Sequence, residues 1–249
     1  MKRSWAILLL SVSMAFLAGC AKLAAILPNT YAGNGAIATD VRQPGTFQSV
    51  ELDGAYDVVL TQGAASEVRI ETDQNLLPHI QTMVSNGTLT VESDGNIEPS
   101  KSILVYISSP NYRSVESNGS SDIRGATPIA SDELKLALDG SGSYTLGLNV
   151  KRLKSEIEGS GTISLTGMAG NHSSEINGSG DLRTDSLAVD SATIAISGSG
   201  DARVNVRSRL DASINGAARV RYRGPVTDVH TEISGSGSVD RASSSPTMN

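Results

Sequence analysis

The fold this sequence predicts is all-β, a parallel β-helix of about eight rungs. Three observations predict it. A Gly-Ser-Gly tripeptide returns at a near-constant interval, apolar residues alternate without a break through each copy, and aromatics make up only 4% of the 249 residues. Gly140-Ser141-Gly142, Gly159-Ser160-Gly161, Gly178-Ser179-Gly180, Gly198-Ser199-Gly200 and Gly235-Ser236-Gly237 are intact copies. Gly119-Ser120-Ser121 and Gly216-Ala217-Ala218 are degraded ones, and Gly54-Ala55-Tyr56 is the first. From Gly119 to Gly235 the leading glycines stand 21, 19, 19, 20, 18 and 19 residues apart. A fixed period near 20 marks a repeat architecture. A stacked coil has a narrow core that small and aliphatic residues can fill.

A strand turns alternate residues to opposite faces. Leu134, Leu136, Leu138, Gly140, Gly142, Tyr144, Leu146 and Leu148 are all even, through the GSG. Leu153, Ile157, Gly159, Gly161, Ile163 and Leu165 are all odd. The runs from Ile194 to Val206, Ala212 to Tyr222 and Val229 to Val239 keep phase in the same way. Both glycines therefore fall on the apolar side and the serine on the solvent side, a phase that a flexible Gly/Ser linker has no reason to keep. Inward glycines predict a bend where the interior is too narrow for a Cβ. Rungs about 4.8 Å apart make a rod of roughly 40 Å. Crossovers between parallel strands are right-handed by default. The alternative is an antiparallel meander in which each GSG is a hairpin loop.

Before the repeat, Met1-Lys2-Arg3 and the apolar run Trp5 to Phe16 form a signal peptide. It ends in Leu17-Ala18-Gly19-Cys20, which resembles a bacterial lipobox. Residues 1–19 are expected to be removed and Cys20, the only cysteine, to carry acyl chains. Ala21 after the cysteine favours, by analogy with enteric lipoproteins, the outer membrane. Residues 20–46 read as a lipidated tether broken by Pro28, Gly33, Gly35 and Pro44-Gly45. Period-two alternation predicts strands over Val50–Gly63, Glu67–Thr72, Thr88–Glu92 and Ile103–Ile107. Gln74–Val84 allows one or two helical turns around Pro78, and Asn86-Gly87 signals a hairpin. The head spans 47–241, and 242–249 is a polar tail.

Stacked rungs line up outward columns. Three residues after the first glycine stand Asp57, Asp122, Ser143, Thr162, Asp181, Asp201, Arg219 and Ser238; five after it stand Arg124, Thr145, Ser164, Arg183, Arg203 and Arg221. The bland role of such columns is structural: small polar ladders satisfy one another and the turns. Asp and Arg two residues apart pair at the surface. The sharper role is a surface-binding ladder of Asp181, Asp201, Arg183, Arg203 and Arg221 facing a glycan or an envelope protein. Calcium on the Asp57/Asp122/Asp181/Asp201 column is disfavoured, because Ser143 and Thr162 interrupt it. The expectation is no cofactor and no metal.

A net charge of −6 disfavours non-specific nucleic-acid binding. His79, His172 and His230 sit at unrelated offsets, which disfavours a triad or metal centre. No GxGxxG or Walker lysine accompanies the glycines. A carbohydrate-active enzyme on the same scaffold is the alternative function, but the tight repeat leaves no room for loops that would wall a cleft.

The stretch from Phe47 to Arg241 resembles a bacterial envelope family, the putative auto-transporter adhesin, head GIN domain. The resemblance rests on Val50-Glu51-Leu52-Asp53-Gly54-Ala55-Tyr56-Asp57-Val58, the serial GSG rungs, Tyr222-Arg223-Gly224-Pro225 and Ile233 to Val239. It implies a β-helical head and, by name, adhesion, with no catalytic residues to carry over. No translocating barrel follows Arg241, so anchoring through Cys20 is expected instead. The sum is a lipid-anchored, non-enzymatic envelope protein with a binding or structural role.

Overall fold

The computed structural model describes residues 29–242. Its chain folds into a β-solenoid of about seven turns with parallel stacked strands. Cys20, the signal peptide and most of the polar tail lie outside the described residues.

The strands follow in chain order. β1 (Thr30–Ala32) and β2 (Ile37–Arg42) precede a first rung of β3 (Ser49–Gly54) and β4 (Asp57–Gln62). A segment without GSG follows, with β5 (Glu67–Asp73), β6 (Ile80–Ser85), β7 (Thr88–Ser93), β8 (Asn96–Glu98) and β9 (Leu104–Ser109). The regular coil then runs through β10 (Ser114–Gly119), β11 (Asp122–Gly125), β12 (Ile129–Gly140), β13 (Ser143–Gly159), β14 (Thr162–Gly178), β15 (Asp181–Gly198) and β16 (Asp201–Gly216). β17 (Arg219–Arg223), β18 (Asp228–Gly235) and β19 (Ser238–Arg241) end it. In the regular part every leading glycine pairs with the next: Gly54 with Gly119, then Gly140, Gly159, Gly178, Gly198, Gly216 and Gly235. All these pairings are parallel, so the meander alternative does not hold for the repeat.

The alternating pattern makes one continuous core from Phe47 to Val226. Leu138, Ile157, Ile176, Ile196 and Ile214 stack as one interior column in consecutive rungs, each buried. Full burial of each such side chain stabilises the fold by about 1.5–3 kcal/mol. Polar residues are also buried inside, among them Ser155, His172 and Ser174.

The bend glycines are explained differently from the narrow interior that the sequence suggests. The second glycine does face inward: a Cβ on Gly180 would meet Ile157 and the carbonyl of Gly161. The first is held at positive φ, 111° at Gly159, and its missing Cβ would point along the stack to within 2.6 Å of the Gly140 carbonyl. The close approach is thus between rungs, and it keeps the hydrogen-bond ladder running through the corner. Ser160 N donates to Gly140 O at 3.0 Å, and Ser179 N to Gly159 O at 2.8 Å.

The 64 residues between Gly54 and Gly119 hold one more rung, which stacks outside the first. β7 pairs with β3 and β9 with β4, both in parallel. Antiparallel strands then close this end: β6 on β7, β5 on β9 and β2 on β5. The β6–β7 turn has positive φ at Asn86 (50°) and Gly87 (79°), as its Asn-Gly sequence predicts. Within Gln74–Val84 only Leu77–His79 is helical, a single 3-10 turn, because Ile80 onward is taken by the hairpin.

Residues 30–42 differ from the tether expected there. β1 pairs with β8 and β2 with β5, so two strands lie within the stretch read as tether. Asp73 holds this segment. Its carboxylate accepts from Gly35 N (2.6 Å), Ser100 N (2.8 Å) and Ser100 Oγ (2.8 Å). The Ser100 amide leads the bonds that keep its pKa below the ordinary carboxylate value.

Candidate surface-binding face

The GSG corner divides the outer surface into an upstream and a downstream face. On the downstream face the register aligns Asp57, Asp122, Ser143, Thr162, Asp181, Asp201, Arg219 and Ser238, each beside the next. The neighbouring column reads Arg124, Thr145, Ser164, Arg183, Arg203, Arg221 and Asp240. All five predicted ladder residues are therefore brought together on three consecutive rungs.

Their contacts are unequal. Arg183 Nη2 donates to Asp181 Oδ2 at 2.8 Å within its own strand. Arg203 and Arg221 have no ion-pair partner among the described residues. Arg219 and Arg223 extend the cationic area on β17, where Arg223 lies beside Asn205; Arg223 also donates to the Asp185 carbonyl. Arg219 already stands in the predicted column three residues after the first glycine, and Arg223 is found by extending the same parity further along β17. The two Asp pairs, Asp57/Asp122 and Asp181/Asp201, are separated by Ser143 and Thr162, and Ser143 Oγ donates to Asp122 Oδ1 at 2.5 Å. Among the described residues no group of three or more His, Cys, Asp or Glu is placed to hold a metal ion.

The upstream face has the opposite sign. Glu51 and Glu116 are neighbours, as are Glu156 and Glu175, with Ala137 between the two pairs. Lys135 lies 3.3 Å from Glu116 and 3.2 Å from Glu156. Partial burial opposes the Lys135 charge, but hydrogen bonds to the two glutamates outweigh it and raise its pKa.

A second corner is built where the parity switches from even to odd between Leu148 and Leu153. Two consecutive residues then face outward, Asp132-Glu133 on one rung and Lys151-Arg152 on the next. Lys151 pairs with Asp132 at 2.8 Å, and Arg152 Nε donates to Glu133 at 2.7 Å. A groove of about 790 Å³ runs along this corner, with Arg113, Asn149 and Gln48 also lining it. Sequence reasoning missed this groove; its signal is the doubled charged residue at two successive parity switches, Asp132-Glu133 and Lys151-Arg152.

Of the histidines, His79 is half-buried and His230 exposed, each near a carboxylate, Asp94 at 2.9 Å and Glu232 at 3.4 Å. His172 is inside, with Nε2 2.9 Å from Ser155 Oγ, and burial pushes its pKa down to about 4.

A parallel coil with columns of outward side chains in register defines a β-solenoid. The family described as "Putative auto-transporter adhesin, head GIN domain" matches residues 46–226, and the chain belongs to it. This places it among adhesin-like, envelope-associated proteins. No curated protein matches it. Solved structures share the fold. A putative adhesin from Bacteroides fragilis is 20% identical, with a TM-score of 0.79 over 85% of this chain and 99% of that one. A putative adhesin from Parabacteroides merdae is 23% identical, with a TM-score of 0.70 over 86% and 99%. A putative lipid binding protein from Parabacteroides distasonis is 21% identical, with a TM-score of 0.71 over 86% and 100%.

Proposed function

We propose that this chain is a lipid-anchored, non-enzymatic adhesion protein of the outer membrane whose downstream arginine column grips anionic groups on a glycan or an envelope partner. The observation that carries it is the alignment of Arg183, Arg203 and Arg221 on successive strands. Neighbouring rungs lie about 4.8 Å apart, so three guanidinium forks follow one another along a line. Such forks bind carboxylate, sulfate or phosphate in pairs of parallel hydrogen bonds. A repeating anionic chain lying along the rod would meet one fork per rung.

Anchoring rests on the lipobox ending at Cys20. Cys20→Ala should move the protein from the membrane fraction to the soluble one; retention in the membrane would count against the anchor. Binding is tested by titrating the Cys20→Ala chain with anionic and neutral polysaccharides at low and high salt. Salt-sensitive binding of the anionic ones, lost in Arg203→Glu/Arg221→Glu, is the expected result. Equal binding by that variant, or turnover of any polysaccharide, would sink the proposal.

A further inference from the structure

The two ends of the solenoid are finished differently. At the N-terminal end antiparallel strands lie beyond the last rung and are tied down. Arg42 donates to the carbonyls of Ile80 (2.6 Å) and Leu77 (3.0 Å), and the Arg69 guanidinium lies 3.7 Å from the centre of the Tyr106 ring. At the C-terminal end β18 pairs with β16 and β19 with β17, and among the described residues nothing pairs with their outer edges. Every residue of β18 is exposed. Its inward positions continue the columns of Leu210, Ala212 and Ile214, which are buried, yet Val229 is 38% and Ile233 46% exposed. An open strand edge beside unfinished apolar columns is a template for one more strand.

We infer that the strand completing this end is β18 of a second copy, related by a two-fold axis through Thr231. A two-fold axis across a strand edge generates an antiparallel pair and a self-complementary interface. The axis must pass through a residue, since otherwise inward positions would face outward ones. With the axis at Thr231, Val229 lies opposite Ile233 on the inside and Thr231 opposite its own copy. On the outside His230 lies opposite Glu232, and Asp228 opposite Ser234. Apolar, Thr–Thr and opposite-charge pairs each favour a sheet, whereas like charges directly opposite disfavour it. Moving the axis to His230 sets Asp228 against Glu232. Moving it to Glu232 sets that carboxylate against itself. Charge matching therefore favours the Thr231 axis over the two axes beside it. In this dimer the two N-terminal caps point away from each other, so anchored copies would sit on facing surfaces.

The full chain carrying Cys20→Ala tests this by sedimentation equilibrium and by disulfide trapping. Residues opposed in an antiparallel pair have Cα atoms about 4.5–5.5 Å apart, within disulfide reach. Thr231→Cys should link to itself under oxidation. Val229→Cys alone should not link, because its copies lie about 13 Å apart along the strand; mixed with Ile233→Cys it should. Ile233→Lys, at a site already half exposed, should keep the circular dichroism spectrum and weaken association at least tenfold. A monomer at all concentrations, Val229→Cys linking to itself, or growth past the dimer into filaments would overturn the assignment. So would a monomer that dimerises only after removal of residues 243–249, since those residues would then be the occupant.

Discussion

His172 Nε2 and Ser155 Oγ lie 2.9 Å apart inside the solenoid, and Ser155 Oγ donates onward to Ser174 Oγ at 2.9 Å. Ser155 has one proton, so if it goes to Ser174 the imidazole must donate from Nε2. His172 Nδ1, buried without a partner, is then a bare acceptor. An orphaned acceptor is better tolerated than an orphaned N–H, so this arrangement of protons is the favoured one.

Acid should therefore loosen the fold through His172. Burial lowers its pKa from 6.5 to about 4. The contribution is complete above pH ~6.5 and is lost as pH falls toward ~4, because only the unfolded chain takes the proton there. That difference is worth about 3 kcal/mol. Denaturant titrations between neutral pH and pH 4 should show the loss, and His172→Leu should remove this part of the slope. An unchanged pH profile in the variant would refute it.

The bend should be intolerant of a methyl group at its first glycine. Gly159→Ala places a Cβ against the Gly140 carbonyl at a φ of 111°. Strain and displaced backbone together should cost roughly 3 kcal/mol. Gly147 is the control: a Cβ there meets nothing nearer than 3.7 Å. Gly147→Ala should be neutral or stabilise by up to about 1 kcal/mol through the unfolded chain. Thermal melts of the two variants should separate widely.

Much of this architecture was legible because a solenoid repeats its local rule. The equal offset from each leading glycine orders Asp181 beside Asp201 and Arg183 beside Arg203, and parity turns them outward; the observed register agrees. Parity also places His172 inside with Ser174 and Ile176, although Ser155 becomes its partner only through the rung-to-rung register of Leu153 with His172. The N-terminal cap was not legible. The pairing of Ile37–Arg42 with Val68–Asp73 is antiparallel and distant in sequence, so no local period announces it. Likewise the rung of β7 and β9 stacks on the far side of an earlier one, an order that chain sequence does not reveal. The arginine column was visible as residues, but the sparing of Arg203 and Arg221 from ion pairs depends on side-chain positions.

Asp73 should decide whether that cap stays closed. Its carboxylate joins the Gly35 and Ser100 amides, which belong to different segments. Asp73→Ala leaves both without this acceptor and frees the chain around β1 and β2 from the loop after β8. Amide exchange at Gly35 and Ser100 should speed up strongly, while exchange in β13 to β15 should not change. Equal acceleration throughout would mean that the cap and coil unfold as one.

Arg203 offers a separation of stability from binding. It stands between Arg183 and Arg221, and like charges opposite one another in a sheet disfavour the pairing. Arg183 is relieved by Asp181 at 2.8 Å, but Arg203 has no such partner among the described residues. Arg203→Ser, which installs the residue type already found in this column at Ser164, should leave stability unchanged or raise it by a few tenths to about 0.5 kcal/mol. Any gain should shrink at high salt, where repulsion between exposed charges is screened. The same substitution should weaken capture of an anionic polysaccharide. A column that costs stability and aids binding is kept for the ligand. If Arg203→Ser instead lowers the melting temperature and leaves capture intact, the arginines belong to the scaffold and the binding face lies elsewhere.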